Sequence, residues 1–547
     1  MLNIHDNVFY KTKNGNKKGE IKTKLYFCDN KENDMIQDSI AGGRTLVRTH
    51  YFESKDKHKK LNDINDYLVM LDISGMYCYI MRTNKFPYGA AHYASKIELD
   101  KYNNLIKNKK YDELLKILPE FYIADVDCQP NKKDIEPSIG RHEDKRLHWD
   151  CKRRQSCYNS IDIQILLKNK GDLFEIKKML IWNKSEKVFE KWMNICLHYK
   201  KMGDDLNIKE KEEQEKLKKE AEIRNEKYEI KLTSPGDALY NFGKLLANAA
   251  FGQTLMANHD EQIEFINNVD QQYKFMDEND LDRIITNDED PDGYHVFIGT
   301  KKMDETKNLT SRSRFLGSFV LSYSRLMLDN IINAAYGEDI FNNNIIDKQI
   351  YYGDTDSVLV NVNIAKKLQK AGFVGVNNGE LTDDLNKNFN KDYIKNKDNY
   401  EFYKVIDYCA AAAKKYSMMY ITPENIIKTK TKINGINQDN CIFENSLTEK
   451  EETKITHESF KDMYLNTVIF NNTTEEDIKF LFKKDNKFIM PDRLRKINYN
   501  RTTKDINKNI PWFSIHSSTI ERTLFKEDTT ARTMFKFPYT VPNYYNK

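Results

Sequence analysis

Apolar and polar positions repeat along this chain with two periods, and the switches between them mark out its elements. Residues 67–71 (Tyr-Leu-Val-Met-Leu) are an unbroken apolar run that stops at Asp72, the pattern of a buried strand. Residues 121–128 partly alternate and predict another strand, whereas Lys and Asn interleave with Leu and Ile over 101–117 as on a surface helix. Helical patterns recur over 185–226 and 236–255, and the Lys/Glu run at 207–226 reads as a solvated face. The clearest helix is 315–335, where Leu316, Phe319, Val320, Tyr323, Leu326, Met327 and Ile331 fall at three-and-four spacing and Gly337 stands where a C-cap glycine belongs. Two β-like runs follow, 348–352 and 357–362, separated by Gly353-Asp354-Thr355-Asp356, which predicts a hairpin with acids at its tip. Residues 1–40 read as a polar lead-in, 130–157 as basic loop, and 257–310 as an acidic, broken insertion. Residues 380–547 mix both signals, and no internal repeat is present.

Composition narrows the class only slightly. A chain of 547 residues with 39% hydrophobic and 31% charged positions fits a globular protein of two or three structural units. The net charge of +4, from 87 basic and 83 acidic residues, does not by itself point to nucleic acid. No apolar run approaches the roughly 20 residues of a membrane span, and the N-terminus lacks a secretion layout. The expectation is an intracellular protein with no membrane partner; cytoplasm, mitochondrion and viral replication site are not separated. The eight cysteines form no CxxC pair, so reduced thiols are expected. Cys128, His142, His148, Cys151 and Cys157 are zinc-compatible residue types, but their spacings match no common finger and the region reads as a polar loop.

Three segments carry chemistry. In Tyr352-Gly353-Asp354-Thr355-Asp356-Ser357 two carboxylates share a tight turn. Unpaired they repel, and a hard divalent cation such as Mg²⁺ relieves the conflict; an ordinary polar β-turn is the other reading. Asp72 ends an apolar strand, where a carboxylate needs a partner unless it merely begins a turn or caps a helix. On a helix, Lys244, Asn248 and Phe251 fall at i, i+4 and i+7 of one face. That face offers a cation, an amide and a ring to a triphosphate and a base, or else is a plain amphipathic helix.

Taken in order, the segments resemble motifs A, B and C of family B DNA polymerases, which read Dx₂SLYP, Kx₃NSxYG and YxDTDS. Motif C matches at its defining positions. In motif B, Lys244, Asn248 and Gly252 match, while Ala249 and Phe251 replace Ser and Tyr. In motif A, Asp72 and Tyr77 match, while Gly75, Met76 and Cys78 depart. Ile40-Ala41-Gly42-Gly43 resembles the YxGG element of the protein-primed branch without its Tyr, and Lys414-Lys415-Tyr416 resembles its KxY element.

The resemblance implies an α+β polymerase right hand: a palm with an antiparallel sheet, helical fingers and a thumb. The implied layout is a lead-in at 1–45, palm at 46–100, an insertion with palm-associated residues at 101–180, fingers at 181–256, a second insertion at 257–310, palm again at 311–440, and a thumb at 441–547. It implies two Mg²⁺ ions, replaceable by Mn²⁺, on Asp72 and Asp356 with Asp354 supporting. Lys244 would bind the triphosphate, Asn248 and Phe251 would line the base pocket, and Tyr77 would exclude a 2′-hydroxyl unless it is simply a core ring. Gly42, Gly43, Lys414 and Tyr416 would contact DNA, and Arg493, Arg495, Lys496, Tyr499 and Arg501 could track phosphates or be solvated surface.

Implied partners are primer–template DNA, deoxynucleoside triphosphates, and a terminal priming protein whose hydroxyl starts the chain. The first 70 residues hold no DxE strand, so no N-terminal exonuclease domain is expected; editing would be lost or reside on a separate exonuclease chain. The competing reading is a catalytically inactive or split-polymerase subunit that only binds primer–template DNA. The sequence does not choose between protein and oligonucleotide priming.

Overall fold

The computed structural model of this chain describes residues 30–47, 49, 51–132, 137, 139–143, 146–224, 235–255, 261–286, 295–301, 313–336, 350–412, 414–433, 456–458 and 460–461, and short strands at 5–11, 17–23, 442–445, 450–452, 487–491 and 519–523. Its centre is a nine-stranded sheet: β1 (Thr45–Val47), β2 (Tyr51–Glu53), β3 (Leu68–Ile73), β4 (Ile350–Asp354), β5 (Ser357–Asn361), β6 (Leu381–Asp383), β7 (Lys404–Ala412), β8 (Lys415–Ile421) and β9 (Ile427–Ile433). The main path runs β9-β8-β7-β3-β5-β4-β1, with β6 also on β3 and β2 also on β7. All of these pairs are antiparallel. The chain-adjacent strands β1 and β2 join distant members, β4 and β7, so the sheet curls back on itself.

This curl explains the unbroken apolar run at 67–71. β3 is covered on both faces, so alternation disappears. Leu68 and Met70 point into an inner core with Tyr352, Leu359, Tyr408, Tyr416 and Met418. Val69, Leu71 and Ile73 face a larger outer core with Val358 and Val360.

The helices that matter to the site are α1 (Met76–Thr83), α2 (Glu190–Ile223), α3 (Pro235–Leu255) and α4 (Arg314–Tyr336). α4 brings Phe315, Leu316, Phe319 and Val320 to the outer core, the face its spacing predicts. α2 and α3 pack so closely that a Cβ on Gly243 would lie 2.6 Å from the Cys196 carbonyl oxygen. Among the described residues no helix is long and apolar enough to cross a membrane.

Several regions hold more regular structure than their patterns predict. The helix expected at 101–117 is two, Lys96–Lys107 and Tyr111–Ile117. Ser95 and Glu98 form a capping box at the start of the first, and Lys109 closes it in the left-handed region at φ 53°. The basic stretch 130–157 ends in the strand Arg154–Asn159, which pairs with Phe121–Gln129, and Asp172–Trp182 pairs on its other side. Cys128 lies in the core of that smaller sheet and Cys157 in the outer core, so these two thiols belong to different interiors. Burial pushes the Cys128 thiol up to about 12. The broken segment at 257–310 contains a three-stranded sheet, Glu261–Ile266, His295–Lys301 and Asn279–Thr286, with the helix Val269–Glu278. The lead-in pairs His5–Lys11 with Lys17–Thr23. Gly337 and the cluster from Arg493 to Arg501 lie outside the described residues.

Candidate active site

Two neighbouring strands bring the distant acids together. Ser357 is the direct partner of Asp72 across β5 and β3, and the Ile73 N–H donates to the Asp356 carbonyl at 2.8 Å. The β4–β5 turn is very tight. The Asp356 N–H donates to the Asp354 carbonyl at 2.6 Å across Thr355, whose φ is +60°. A β-branched residue is strained in that region. The strain has support: the Thr355 N–H donates to the Arg44 carbonyl at 2.8 Å.

The three aspartates sit in different electrostatic settings. Burial pushes the Asp72 carboxyl up to about 8; Asp356 and Asp384 add to the rise, and Lys430 and Lys432 oppose it. Asp356 is also raised, chiefly by burial, with Asp354 and Asp384 contributing. Asp354, by contrast, accepts from Thr45 Oγ1 at 3.0 Å and Tyr352 OH at 3.4 Å, and has Lys414 Nζ at 3.4 Å and Lys432 Nζ at 3.6 Å. Its charge is therefore compensated within the protein, while Asp72 and Asp356 repel across adjacent strands.

A pair of half-buried, mutually repelling carboxylates is a donor set that suits a hard divalent cation. Among the described residues no three His, Cys, Asp or Glu side chains already converge as a metal cage. The remaining ligands would come from water and substrate phosphate oxygens, as is usual for Mg²⁺.

These shifts have a consequence in metal-free solution. Native Asp72 keeps a proton that an unfolded carboxyl has released, so its contribution to stability falls as pH rises from about 4 to about 8. Urea midpoints in EDTA should decline across that window, and Asp72→Asn should flatten part of the decline. An unaltered decline in the variant would contradict the assignment.

Behind the turn lies the Gly42–Gly43 segment. A Cβ on Gly43 would meet the Thr355 side chain at 2.4 Å, too close for any side chain without a shift of the turn. Gly43→Ala should therefore lower stability by about 1–3 kcal/mol, as overpacking does, by displacing the turn. Thermal unfolding, compared with Gly42→Ala, would check this, since Gly42 has a nearest atom only at 4.0 Å.

The segment is anchored by residues the sequence reading missed. Arg325 of α4 donates to the Ala41 and Gly42 carbonyls and forms a bidentate pair with Asp162 at 2.8 and 2.9 Å. Both side chains are almost fully buried. The available signal was a polar stripe on an apolar helix: Ser318, Ser322, Arg325 and Asp329 follow at four, three and four residues, and all are buried.

Motif-like segments also meet on the opposite side of the acids. Tyr77 stands in the first turn of α1, after Gly75 at φ +54°. Its ring stacks on Phe251 of α3, with centroids 4.1 Å apart and planes 16° apart. Burial raises the Tyr77 hydroxyl to about 12, and Asp356 adds to the rise. Lys244 and Asn248 are exposed on the same helix. Lys414 occupies the β7–β8 turn at φ +60°, and its N–H donates to Tyr352 OH at 3.1 Å. Tyr416 is only 2% exposed, with its ring 4.9 Å from that of Tyr352; it supports the site from the inner core. Asp384, Lys430 and Lys432 beside the acids were not singled out from sequence. The alternation Lys428, Lys430, Lys432 in a short strand was the signal for the lysines.

A family model that matches most of the chain puts it in the class of type B DNA polymerases. More narrowly, it belongs to the family described as DNA polymerase type B, organellar and viral, whose model matches residues 2–339. The match takes in Asp72 and Lys244 and stops before the hairpin that carries Asp354 and Asp356. Among solved structures, an orthorhombic crystal form of phi29 DNA polymerase is similar at 12% identity and a TM-score of 0.45, over 76% of this chain and 57% of that one. The phi29 enzyme in ternary complex with primer-template DNA and incoming nucleotide is similar at 11% identity and a TM-score of 0.44, over 76% and 56%. The chain thus spans a little over half the length of the solved chains it matches. No curated protein matches the sequence.

Proposed function

We propose that this chain is a template-directed DNA polymerase that adds deoxynucleotides to a primer 3′-hydroxyl and, at initiation, to a protein hydroxyl. The observation that carries the reading is the placing of Asp356, in the β4–β5 turn, beside Asp72 at the end of β3, with no cationic side chain bonded to either among the described contacts. Family membership supports the same reaction class.

Asp72 and Asp356 would hold two Mg²⁺ ions, or Mn²⁺ in their place, which supply charge stabilisation for phosphoryl transfer when bound. Asp354, clamped by Thr45, Lys414 and Lys432, would keep the turn in place and shape the field around the pair. Lys244 would neutralise the triphosphate, an anion-binding task suited to an exposed ammonium on a helix face. Asn248 and Phe251 would border the base. Lys414 would meet the primer backbone, and Tyr416 would steady it through Tyr352.

In this reading the curled sheet with α1 and α4 is the palm, α2 and α3 are the fingers, and residues 441–547 are the thumb, whose described residues include a four-stranded sheet. A terminal priming protein would be the further partner in this reading.

Tyr77, stacked on Phe251, would press against the sugar of a bound nucleotide. Tyr77→Val should raise ribonucleotide incorporation relative to deoxynucleotide by roughly 10–200-fold, the scale of a steric discrimination of 1–3 kcal/mol. Single-nucleotide insertion kinetics with paired ribo- and deoxyribonucleotides would measure it; unchanged sugar selectivity removes Tyr77 from this role. The reading as a whole is tested by Mg²⁺-dependent extension of a labelled primer. Labelling of a co-encoded protein by a deoxynucleotide would establish protein priming. Tight primer–template binding without incorporation would instead favour the inactive-subunit reading.

A further inference from the structure

We infer that β9 is a phosphate-binding row for the primer–template duplex beside the active site, formed by Lys428, Lys430 and Lys432. The inference rests on the polymerase reading above and adds to it a surface that none of the sequence motifs contains. β9 is the last strand on the main path of the sheet and pairs only with β8 on that path. Alternate residues of a strand share a face at intervals of roughly 6.6 Å, a spacing comparable to that of successive phosphates along a nucleic-acid strand.

The two faces of β9 carry different side chains, Ile427, Thr429 and Thr431 on one and the three lysines on the other. Thr431 Oγ1 is 2.7 Å from Ser417 Oγ, which in turn lies 2.9 Å from His457 Nδ1. At Thr431 that face is covered by the buried His457, whereas Ile427 and Thr429 on it are exposed. The lysine face stays open: Lys428 and Lys432 are exposed, and Lys430 is half-buried.

The open face leads to the acids. Lys432 Nζ is 3.6 Å from Asp354 and lies opposite Tyr416 in the ladder, while Lys430 Nζ is 2.5 Å from Asp384. Lys414 Nζ joins the same end at 3.4 Å from Asp354. The part-exposed Lys430–Asp384 pair gains little, roughly 0–1 kcal/mol, so a phosphate can replace Asp384 there at low cost; Lys432 and Lys414 would reach phosphate with further N–H groups while still facing Asp354. Lysine on an edge strand can also serve simply to deter pairing with another chain. An edge guard, however, has no reason to converge on the acids of the site, and it leaves the salt dependence of DNA binding untouched.

The test is the affinity of the full chain for a primer–template duplex, measured by fluorescence anisotropy from 50 to 200 mM salt. Each lost phosphate contact should lower the slope of log K against log [salt] by about 0.9. Lys428→Gln/Lys430→Gln/Lys432→Gln together should therefore lower it by about 2.7. The corresponding triple arginine variant should restore the slope, which a merely structural role would not predict. An unchanged slope in the glutamine variant, while the unsubstituted chain extends a primer, overturns the row and leaves the polymerase reading standing. A slope that falls for single-stranded DNA but not for duplex overturns the duplex assignment. If the wild-type chain neither binds duplex nor extends a primer, the polymerase reading itself fails.

Discussion

Asp72→Ala and Asp356→Ala should each reduce primer extension by roughly a thousandfold or more, the scale of about 4 kcal/mol of lost transition-state stabilisation. The reason is the division of labour among the acids. Asp72 at the end of β3 and Asp356 in the neighbouring turn repel each other, and both are pushed toward the protonated form by burial. Nothing in the fold gains from that conflict, so their removal should raise the stability of the metal-free protein while abolishing activity. A variant that is at once more stable and inactive is the mark of a functional carboxylate pair. Asp354→Ala should behave differently. It would leave Lys414, Lys432 and Thr45 without their shared acceptor and lose stability as well as rate. Extension rates with saturating Mg²⁺, paired with thermal unfolding in EDTA, separate the two patterns. Wild-type extension by both Asp72→Ala and Asp356→Ala would overturn the site.

The second large effect lies away from the chemistry. Asp162→Ala should destabilise the protein by about 3–5 kcal/mol, because it leaves the Arg325 guanidinium buried without its counter-charge. Asp162→Leu combined with Arg325→Met should recover most of that stability, since well-packed apolar groups often replace a buried pair at little cost. Activity should not return with it. The Ala41 and Gly42 carbonyls would have lost their donor, and Gly43 would no longer be held against Thr355. Urea unfolding and primer extension on the same three variants decide the matter; recovery of both stability and activity in the double variant would show that Arg325 has no part in placing the turn.

Much of this was legible before any coordinates. The spacing in 315–335 specified α4, because an apolar stripe at three-and-four intervals is stable only as a helix against a core. The run at 67–71 and the flanked acids at 354 and 356 specified a buried strand and a hairpin, and β3, β4 and β5 follow them closely. Other regions were not legible in that way. The strand Arg154–Asn159 has exposed and buried positions without clean alternation, and it forms because Phe121–Gln129 offers it an edge. Arg325 and Asp162 are polar residues that local pattern assigns to the surface, and only their meeting across 163 positions makes burial tolerable. Tyr416 looked like a DNA contact by its place in a motif, yet the curl of the sheet turns its ring inward.

Side-chain order alone settled which short stretches become strand, helix or turn, and it settled that three chemically suited segments exist. Their convergence was settled elsewhere. Local periodicity is a property of a few neighbouring residues, whereas the closeness of Asp72 to Asp356 comes from a ladder that pairs strands hundreds of positions apart. That ladder forms because β3 must be covered on both faces, and only long-range packing supplies the cover.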